Sequence, residues 1–487
     1  MHNNITADQL TALFASEVQP GSFTPELHFY PRARNAQLHA LVGFFLRLSN
    51  ERIISRYCHL NPRVDPKRLS ELLATGARHL RWSGADLFHV TTVDGVRRMV
   101  VIETNSCPSG NKSMPQLFED QEQGGYRSLM ELAFLPTLGR RGLPRGALAV
   151  LFDKNHTECS GYAAALADLS GEAVWLVPWP EERTDAPARF TDGVLEVLDA
   201  GGAWHPIRAA FRYVTQRPWT RIPIQTKTLI FNPIIACLAG GRNKLVASKA
   251  YDFFNTSLEE SGLEIRTPDT IRDAAKGEVP FWVQRFGGHA VVKVPYSNAG
   301  QGVFTITGEA ELAAFMATDF PYDKFVVQSL IGDRHWSSLG RRSRLYQVGT
   351  MPNQNGDIYV ADVRMMIAST ERGFCPIAIY GRRARQPLTA KIEDGSSWDV
   401  LGTNLSSKRA DGGWDSDDSR LMLMDRKDFN QLGLGIDELI DGFIQTALST
   451  IAIDRLADLL LTQKGRLRSR LFRSLDDDPA LLAEILH

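Results

Sequence analysis

Cysteine is scarce in this 487-residue chain. The five cysteines, Cys58, Cys107, Cys159, Cys237 and Cys375, are scattered, odd in number and free of any C-x-x-C pair. That argues against a disulfide framework and a structural zinc site, and it fits a reduced, cytoplasmic setting. Net charge is nearly absent as well. Lys plus Arg number 55 against 56 Asp plus Glu, a balance of −1, so no global field draws the chain to nucleic acid or anionic lipid. Long apolar runs are missing. None approaches the ~18 to 20 residues of a bilayer span, and the most apolar stretch, TLIFNPIIACLAGG (228–241), is broken by Asn232 and Pro233. The opening MHNNITADQL has no basic-then-apolar leader pattern. No internal repeat or low-complexity linker occurs.

What is present is the composition of a globular protein, 43% apolar and 23% charged, with length enough for about three lobes at roughly 150 residues each. ALAVLFD (147–153) reads as a buried strand, GYAAALADLSG (161–171) as a helix closed by glycine, and AVWLVPW (173–179) as a second strand. That β-α-β order predicts a parallel pair with a right-handed crossover. ERTDAPARFTDG (182–193) reads as a surface excursion. KLVASKAYDFFNTSLEESG (244–262) reads as a strand or turn that becomes a helix, GEAELAAFMATD (308–319) as a helix, and KFVVQSLI (324–331) and DIYVADVRMMIAS (357–369) as strands. A long helical stretch runs over 436–461. The fold class is α/β (α+β).

HAVVKVPYSNAGQGVFTI (289–306) reads as a hairpin around a glycine-rich turn, and the chemistry concentrates in its VVKVPYSNAGQGVFTI (291–306). Lys293 lies mid-strand among apolar residues, and a buried ammonium needs an anionic partner. The turn that follows, Ser297, Asn298, Ala299, Gly300, Gln301 and Gly302, lets backbone N–H groups approach phosphate oxygens. Lysine and loop together read as a phosphate clamp, against the plainer reading of a strand lysine reaching past a tight hairpin. It is neither a Walker A loop nor a dinucleotide fingerprint, because G-x-x-x-x-G-K-[ST] does not occur here and the loop joins two strands.

These residues resemble the ATP-grasp superfamily over about Asn243 to Gly413. Lys249, in VASKAYDFF, matches the lysine that precedes the first helix of the family and approaches the phosphates; Lys293 and Ser297–Gly302 match its second lysine and its loop. VVQSLI, with Gln328 and Leu330, resembles the hinge strand whose backbone meets adenine. Asp362-Val363-Arg364 and TNLSSKRADGG (403–413), with Asn404, are similar to segments of the ligases that add glutamate to a ribosomal protein. The family's magnesium-holding "E-x-N" strand is absent after Gly413 but occurs early, in GADLFHVTTVDGVRRMVVIETNSCPSG (84–110). Asp86, Glu103 and Asn105 match the metal ligands, and Glu103 and Asn105, two apart, share a strand face.

The early position resembles the circularly permuted arrangement of eukaryotic-type glutathione synthetase. The resemblance implies a two-lobe ATP-grasp clamp. Residues 1–135 would contribute the permuted metal strands, 140–240 a Rossmann-like preceding lobe, 243–415 the nucleotide lobes and 416–487 a helical segment packed on the core. It implies ATP with Mg2+, or Mn2+ in its place, and small-molecule or peptide carboxylate and amine substrates. It gives no role to nucleic acid or membrane and allows a homodimer. The implied function is an ATP-dependent carboxylate–amine ligase working through an acyl phosphate, with Arg364 and Asn404 near the transferring phosphoryl group. A phosphotransferase and a catalytically silent nucleotide-binding scaffold are the alternatives.

Other features read more plainly. Arg212 and Tyr213, in FRYVTQRPW, are candidates to face the cleft, with a surface position favoured for the arginine. Arg382, Arg383 and Arg385 cluster in GRRARQP, two of them readable as surface charges. KGRLRSRLFR (464–473) precedes DDDP and reads as a solvated, charge-compensated helix. Cys107 reads as a packing residue whose thiol neighbouring carboxylates hold unreactive. The scattered histidines show no metal spacing.

Overall fold

The computed structural model describes residues 14–116, 122–139, 141–180, 186–215, 217–296, 302–341, 344–392, 397–408 and 414–486. Strands β1 (Trp82–Thr92) and β2 (Arg97–Asn105) form an antiparallel hairpin. Gly95, at φ +77°, takes the left-handed position of its turn, as Asp-Gly does so readily. A register shift between Asp86 and Leu87 follows, and it leaves Asp86 opposite Glu103 and Gly84 opposite Asn105.

The β-α-β expectation holds. Strand β3 (Ala147–Phe152), helix α1 (His156–Ser170) and strand β4 (Val174–Pro178) run in order, and β3 lies parallel to β4 on one side and to β5 (Trp204–Tyr213) on the other. The seven-stranded sheet is completed by Ser16–Val18, Ala188–Thr191, Val194–Leu198 and Leu229–Phe231. The surface excursion expected over 182–193 is partly wrong. Ala188–Thr191 pairs with Val194–Leu198, because the Asp192-Gly193 turn at positive φ brings two alternating segments back to back.

Helix α2 (Lys244–Thr256) starts at once, where a strand or turn was expected first. Asn243 caps it, its side chain accepting from Val246 N at 3.1 Å, which satisfies an otherwise unpaired helix N–H. Next comes a four-stranded antiparallel sheet in the order β6 (Thr270–Ala275), β9 (Lys324–Ser329), β7 (Ala290–Lys293), β8 (Val303–Ile306). Phe286, Val292, Phe315, Phe325 and Val327 form its separate core. The β7–β8 hairpin is the glycine-rich one anticipated.

Strands β10 (Ala361–Thr370) and β11 (Gly373–Arg383) pair with each other, and β10 also pairs with β1. The early hairpin therefore shares a sheet with strands nearly three hundred positions on, Arg364 standing opposite Asp86, 278 residues apart. The long helix α3 (Ile436–Leu459) is buried along most of its length and packs on this sheet. Ser83 and Thr104 bond Thr450 and Ser449 of α3 at 2.6 and 3.0 Å, so the buried hydroxyls on both sides are satisfied.

The C-terminal segment is a fastening. Asp476 accepts from Tyr296 Oη and from Asn243 Nδ2, the latter at 2.8 Å, which ties the base of the glycine-rich loop to the cap of α2. The basic stretch is helical only from Ser469, and it turns Phe472 and Leu475 into the core.

Candidate nucleotide and metal site

A row of side chains crosses the six-stranded sheet. Glu103 on β2, Asp86 on β1, Arg364 on β10 and Tyr380 on β11 stand in successive register. Directly opposed residues point to one face, so local alternation and strand pairing together build a charged surface. Arg364 chelates Asp86 through Nε and Nη2 at 2.6 and 2.7 Å, and Arg382 reaches the same carboxylate at 3.0 Å while holding Asp362. Thr403 Oγ1 adds a hydrogen bond to Asp362 at 3.0 Å. Burial alone would raise Asp86, but the charges and hydrogen bonds of Arg364 and Arg382 outweigh it and hold the carboxyl well below the usual range. At Asp362 burial dominates and pushes the carboxyl up.

The four-stranded sheet faces this hairpin across a cleft of ≈ 500 Å³ that is open to solvent and lined by Ile102, Glu103, Lys244, Ser248, Lys293 and Gln328 among others. Lys293 is buried, and its Nζ donates to the Ile102 carbonyl at 3.2 Å. Burial brings its ammonium down to about 8, with the Glu103 charge opposing. Lys244, at the first turn of α2, lies 3.3 Å from the Glu103 carboxylate. Gln328 Nε2 donates to Thr270 Oγ1 at 2.9 Å across the β6–β9 pair.

What brings Lys244 here is a close backbone approach. A Cβ on Gly241 would lie 2.5 Å from Ser106 Cβ and 2.7 Å from the Ala236 carbonyl oxygen, so only glycine fits. The Ser106 N–H then bonds the Gly241 carbonyl at 3.0 Å. The start of α2 is thereby pinned to the Glu103–Ser106 turn. Sequence reasoning missed Lys244; the Gly-Gly pair followed by a capping Asn was the available signal.

Several expectations need correction. Lys249 does not precede the first helix but lies inside it. Five residues past Lys244 it is turned roughly 140° around the axis, and its Nζ engages Asp273 at 2.8 Å and the Leu475 carbonyl at 2.5 Å. Leu330 is buried beside Trp336, Val360 and Ala384, and its backbone N–H and carbonyl both bond Ser338, so neither is open to an adenine here. Asp86, expected as a metal ligand, has both oxygens committed to guanidinium groups. Arg364, expected at the transferring phosphoryl group, spends two donors on Asp86. Asn404 is half-buried, and its carbonyl accepts from Arg420 at 2.6 Å. Ser297, Asn298, Ala299, Gly300 and Gln301 lie outside the described residues, as do 409–413; Gly302 is described, at φ +67°, its carbonyl accepting from Val294 N at 2.7 Å.

The surface position favoured for Arg212 is wrong. It is fully buried, with Nε on the Asn232 carbonyl and Nη1 on the Val214 carbonyl at 2.5 Å. Cys107 is a buried packing residue as expected, its Sγ donating to the Arg212 carbonyl at 3.2 Å, but burial rather than carboxylates is the first cause of its raised thiol. Of the arginine cluster, Arg382 is buried, Arg383 lies over the Tyr359 ring and Arg385 is partly exposed beside Asp399.

For magnesium, the donor set tests as two side chains rather than three. Glu103 faces the cleft. Asn105 is buried, with Oδ1 accepting from Arg242 at 3.2 Å and Nδ2 without a partner among the described residues. No group of three or more His, Cys, Asp or Glu gathers among the described residues. Magnesium keeps waters and phosphate oxygens and takes few protein ligands, so Glu103 and the Asn105 Oδ1 are the side-chain oxygens that would hold it, Asp86 being committed to Arg364 and Arg382.

No protein-family model matches the chain, and no curated protein matches it. Among solved structures, it is similar to a RimK-domain ATP-grasp protein from Sphaerobacter thermophilus, at 13% identity over 52% of this chain and 95% of that one, TM-score 0.28. A glutathione synthetase-like effector from Globodera pallida is 11% identical over 76% of this chain and 88% of its own, TM-score 0.37. D-alanyl-alanine synthetase A from Vibrio cholerae is 11% identical over 48% and 88%, TM-score 0.29. The chain is similar to ATP-grasp proteins in the solved structures it matches.

Proposed function

We propose that the protein is an ATP-dependent carboxylate–amine ligase whose metal-binding strands are permuted to the early part of the chain. The observation that carries this reading is the meeting of Lys293 and Lys244 with Glu103 in one cleft, the Lys293 bond to residue 102 spanning 191 positions. Two lysines beside a carboxylate that is not consumed by a buried pair suit a polyphosphate and its counterion.

Lys293 and Lys244 hold the phosphates, and the 297–302 loop supplies backbone N–H groups. Glu103 and Asn105 would hold magnesium, which when bound offsets the charge of the β- and γ-phosphates. Asp86 acts as a positioning residue. By chelating Arg364 it fixes the plane of that guanidinium on the sheet face beside Glu103. The acid's carboxylate oxygen attacks the γ-phosphorus and ADP departs. The amine nitrogen then attacks the acyl carbon, phosphate leaves with that carboxylate oxygen, and the nitrogen loses a proton to water.

The test follows from that atom balance. Acid labelled with heavy oxygen should deliver one label to inorganic phosphate, the nucleotide product should be ADP, and hydroxylamine in place of the amine should trap a hydroxamate. A screen of amino acids and small peptides for ADP release comes first. A stable phosphorylated product with no label in free phosphate would mean a phosphotransferase. AMP with pyrophosphate would mean an adenylate route, and no turnover with intact nucleotide binding a scaffold.

A further inference from the structure

The basic stretch after α3 is not neutralised by the acids on either side of it. The compensation expected from the DDDP that follows goes elsewhere. Asp476 accepts from Tyr296 Oη and from Asn243 Nδ2, and Asp477 pairs with Lys324 at 2.6 Å. Asp478 caps the helix Pro479–Ile485, accepting from Leu481 N at 2.8 Å. On the other side, Asp458 pairs with Arg78 at 2.8 Å and lies 3.3 Å from His79. Between Asp458 and Asp476 the sequence holds no acid but five bases, Lys464, Arg466, Arg468, Arg470 and Arg473.

The chain turns all five outward. After α3 it reverses in a tight turn, where Gly465, at φ +72°, donates to the Thr462 carbonyl at 2.8 Å and Thr462 N to the Arg466 carbonyl at 2.9 Å. Leu461 pairs with Leu467 across that turn, and Arg468 N bonds the Leu460 carbonyl at 2.8 Å. Leu467, Phe472 and Leu475 pack against the core and anchor the segment. Arg466 and Arg468 flank Leu467 and so share the opposite, outward side of the chain. Arg470 and Arg473, three apart on the helix Ser469–Leu475, share a helix face. All five side chains are exposed, and among the described residues none has a hydrogen bond, ion pair or ring contact.

Two aliphatic side chains stand among these cations. Leu459 is 57% exposed, next to the Leu460 whose carbonyl holds Arg468, and Leu471, between Arg470 and Arg473, is 37% exposed. The one aromatic residue of the stretch, Phe472, is fully buried. Single-stranded nucleic acids are held by cations together with aromatic platforms for the bases, and no ring is offered here. An anionic bilayer is held by cations at the headgroups and by aliphatic groups pressed below them, and the patch supplies both.

We infer that this patch docks the protein on an anionic lipid surface, the five cations meeting headgroup phosphates and Leu459 and Leu471 entering the interface. This runs against the expectation of no membrane role. The whole chain is close to neutral, at −1, so the attraction is local and is screened by salt. None of these side chains lines the cleft, so lipid docking stands apart from the ligase reading.

Co-sedimentation of the full chain with vesicles tests it. Wild type should bind vesicles of phosphatidylcholine and phosphatidylglycerol in equal parts, should not bind phosphatidylcholine alone, and should be released at high salt. Each cation removed should weaken binding about fivefold, so Arg466→Gln, Arg468→Gln and Arg470→Gln together should weaken it about 100-fold. The same three positions changed to Lys should keep most of it. If the glutamine variant is misfolded, Lys464→Gln with Arg473→Gln makes the same test, with a loss of about 25-fold. Leu459→Ser with Leu471→Ser keeps every charge and should weaken vesicle binding at least about fivefold, while leaving binding to a duplex RNA oligonucleotide unchanged. No vesicle binding by wild type, equal binding by the glutamine variants, or no effect of the leucine pair would each overturn the inference. Tighter binding to the duplex than to the vesicles would assign the patch to nucleic acid and overturn it as well.

Discussion

Lys293 on β7 donates to the carbonyl of Ile102 on β2, 3.2 Å away and 191 positions earlier in the chain. That bond joins the four-stranded sheet to the hairpin carrying Glu103, and it places a buried ammonium at the edge of the cleft. Charge-assisted hydrogen bonds contribute about 1.5 to 3 kcal/mol each. Lys293→Met and Lys244→Met should therefore each weaken ADP binding by about 10- to 150-fold, whereas Lys249→Met, removed from the cleft, should leave it nearly unchanged. Fluorescence or calorimetric titration of the three variants checks this. Equal affinities across all three would remove the lysines from the site.

Because Lys293 titrates near 8 in the folded protein, against roughly 10.4 for a free lysine, binding and stability should respond to pH in opposite senses. Below about 8 the ammonium is charged and, in the proposed role, holds a phosphate. As pH rises through that value ADP affinity should fall, by up to tenfold per unit, and Lys293→Arg should flatten the dependence. The nucleotide-free protein behaves in reverse. Between about 8 and 10.4 the unfolded chain keeps a proton the folded lysine has shed, so this group's contribution to stability increases with pH. Lys154 is shifted the same way and adds to that slope. Urea unfolding at pH 7.5 and 9.5 reads the sign.

Glu103→Gln keeps the shape of the side chain and one acceptor oxygen but removes the charge beside Lys244 and the proposed metal. Turnover should fall by at least about 100-fold, within the range found when an electrostatic group is removed from an active site, while ADP affinity changes by less than tenfold. A variant with near wild-type ADP release would exclude Glu103 from the metal shell.

Asp86→Asn leaves Arg364 and Arg382 buried with one carboxylate, Asp362, between them. Removing one partner of a buried pair costs roughly 3 to 5 kcal/mol, so the variant should unfold at markedly lower urea at pH 7. Asp86 is held below the usual carboxylate range in the folded state, so the stability it contributes is present above about pH 4 and is lost as pH falls below it. The gap between wild type and variant should therefore narrow in acid. A gap that stays constant to pH 3 would show that the loss is packing rather than charge.

The chain's local pattern was enough for much of the secondary structure. The 289–306 segment foretold the β7–β8 hairpin, the 147–179 stretch a parallel pair around a helix, and the 436–461 stretch a long helix. These follow from side-chain period and turn chemistry within a few residues. Where capping competes with pattern, the cap won. Asn243 starts α2 immediately, and that start decides which lysine faces the cleft. Lys244 and Lys249 are equally plausible as residue types, but roughly 140° of helix separates them.

What only the tertiary structure decided is who meets whom. Residue type, spacing and resemblance singled out Asp86, Glu103, Asn105, Lys293 and Arg364, yet placed Asp86 beside Glu103 as a metal ligand rather than as the partner of Arg364. Strand register divided their tasks. With Asp86 placed between Glu103 and Arg364, the arginine takes both carboxylate oxygens, leaving Glu103 toward the lysines. The same holds for Lys154 and Arg212, one half-buried and the other sealed in the core, although each is a basic residue near the end of an apolar strand. Desolvation and pairing depend on neighbours hundreds of positions away, and a linear pattern holds no record of them.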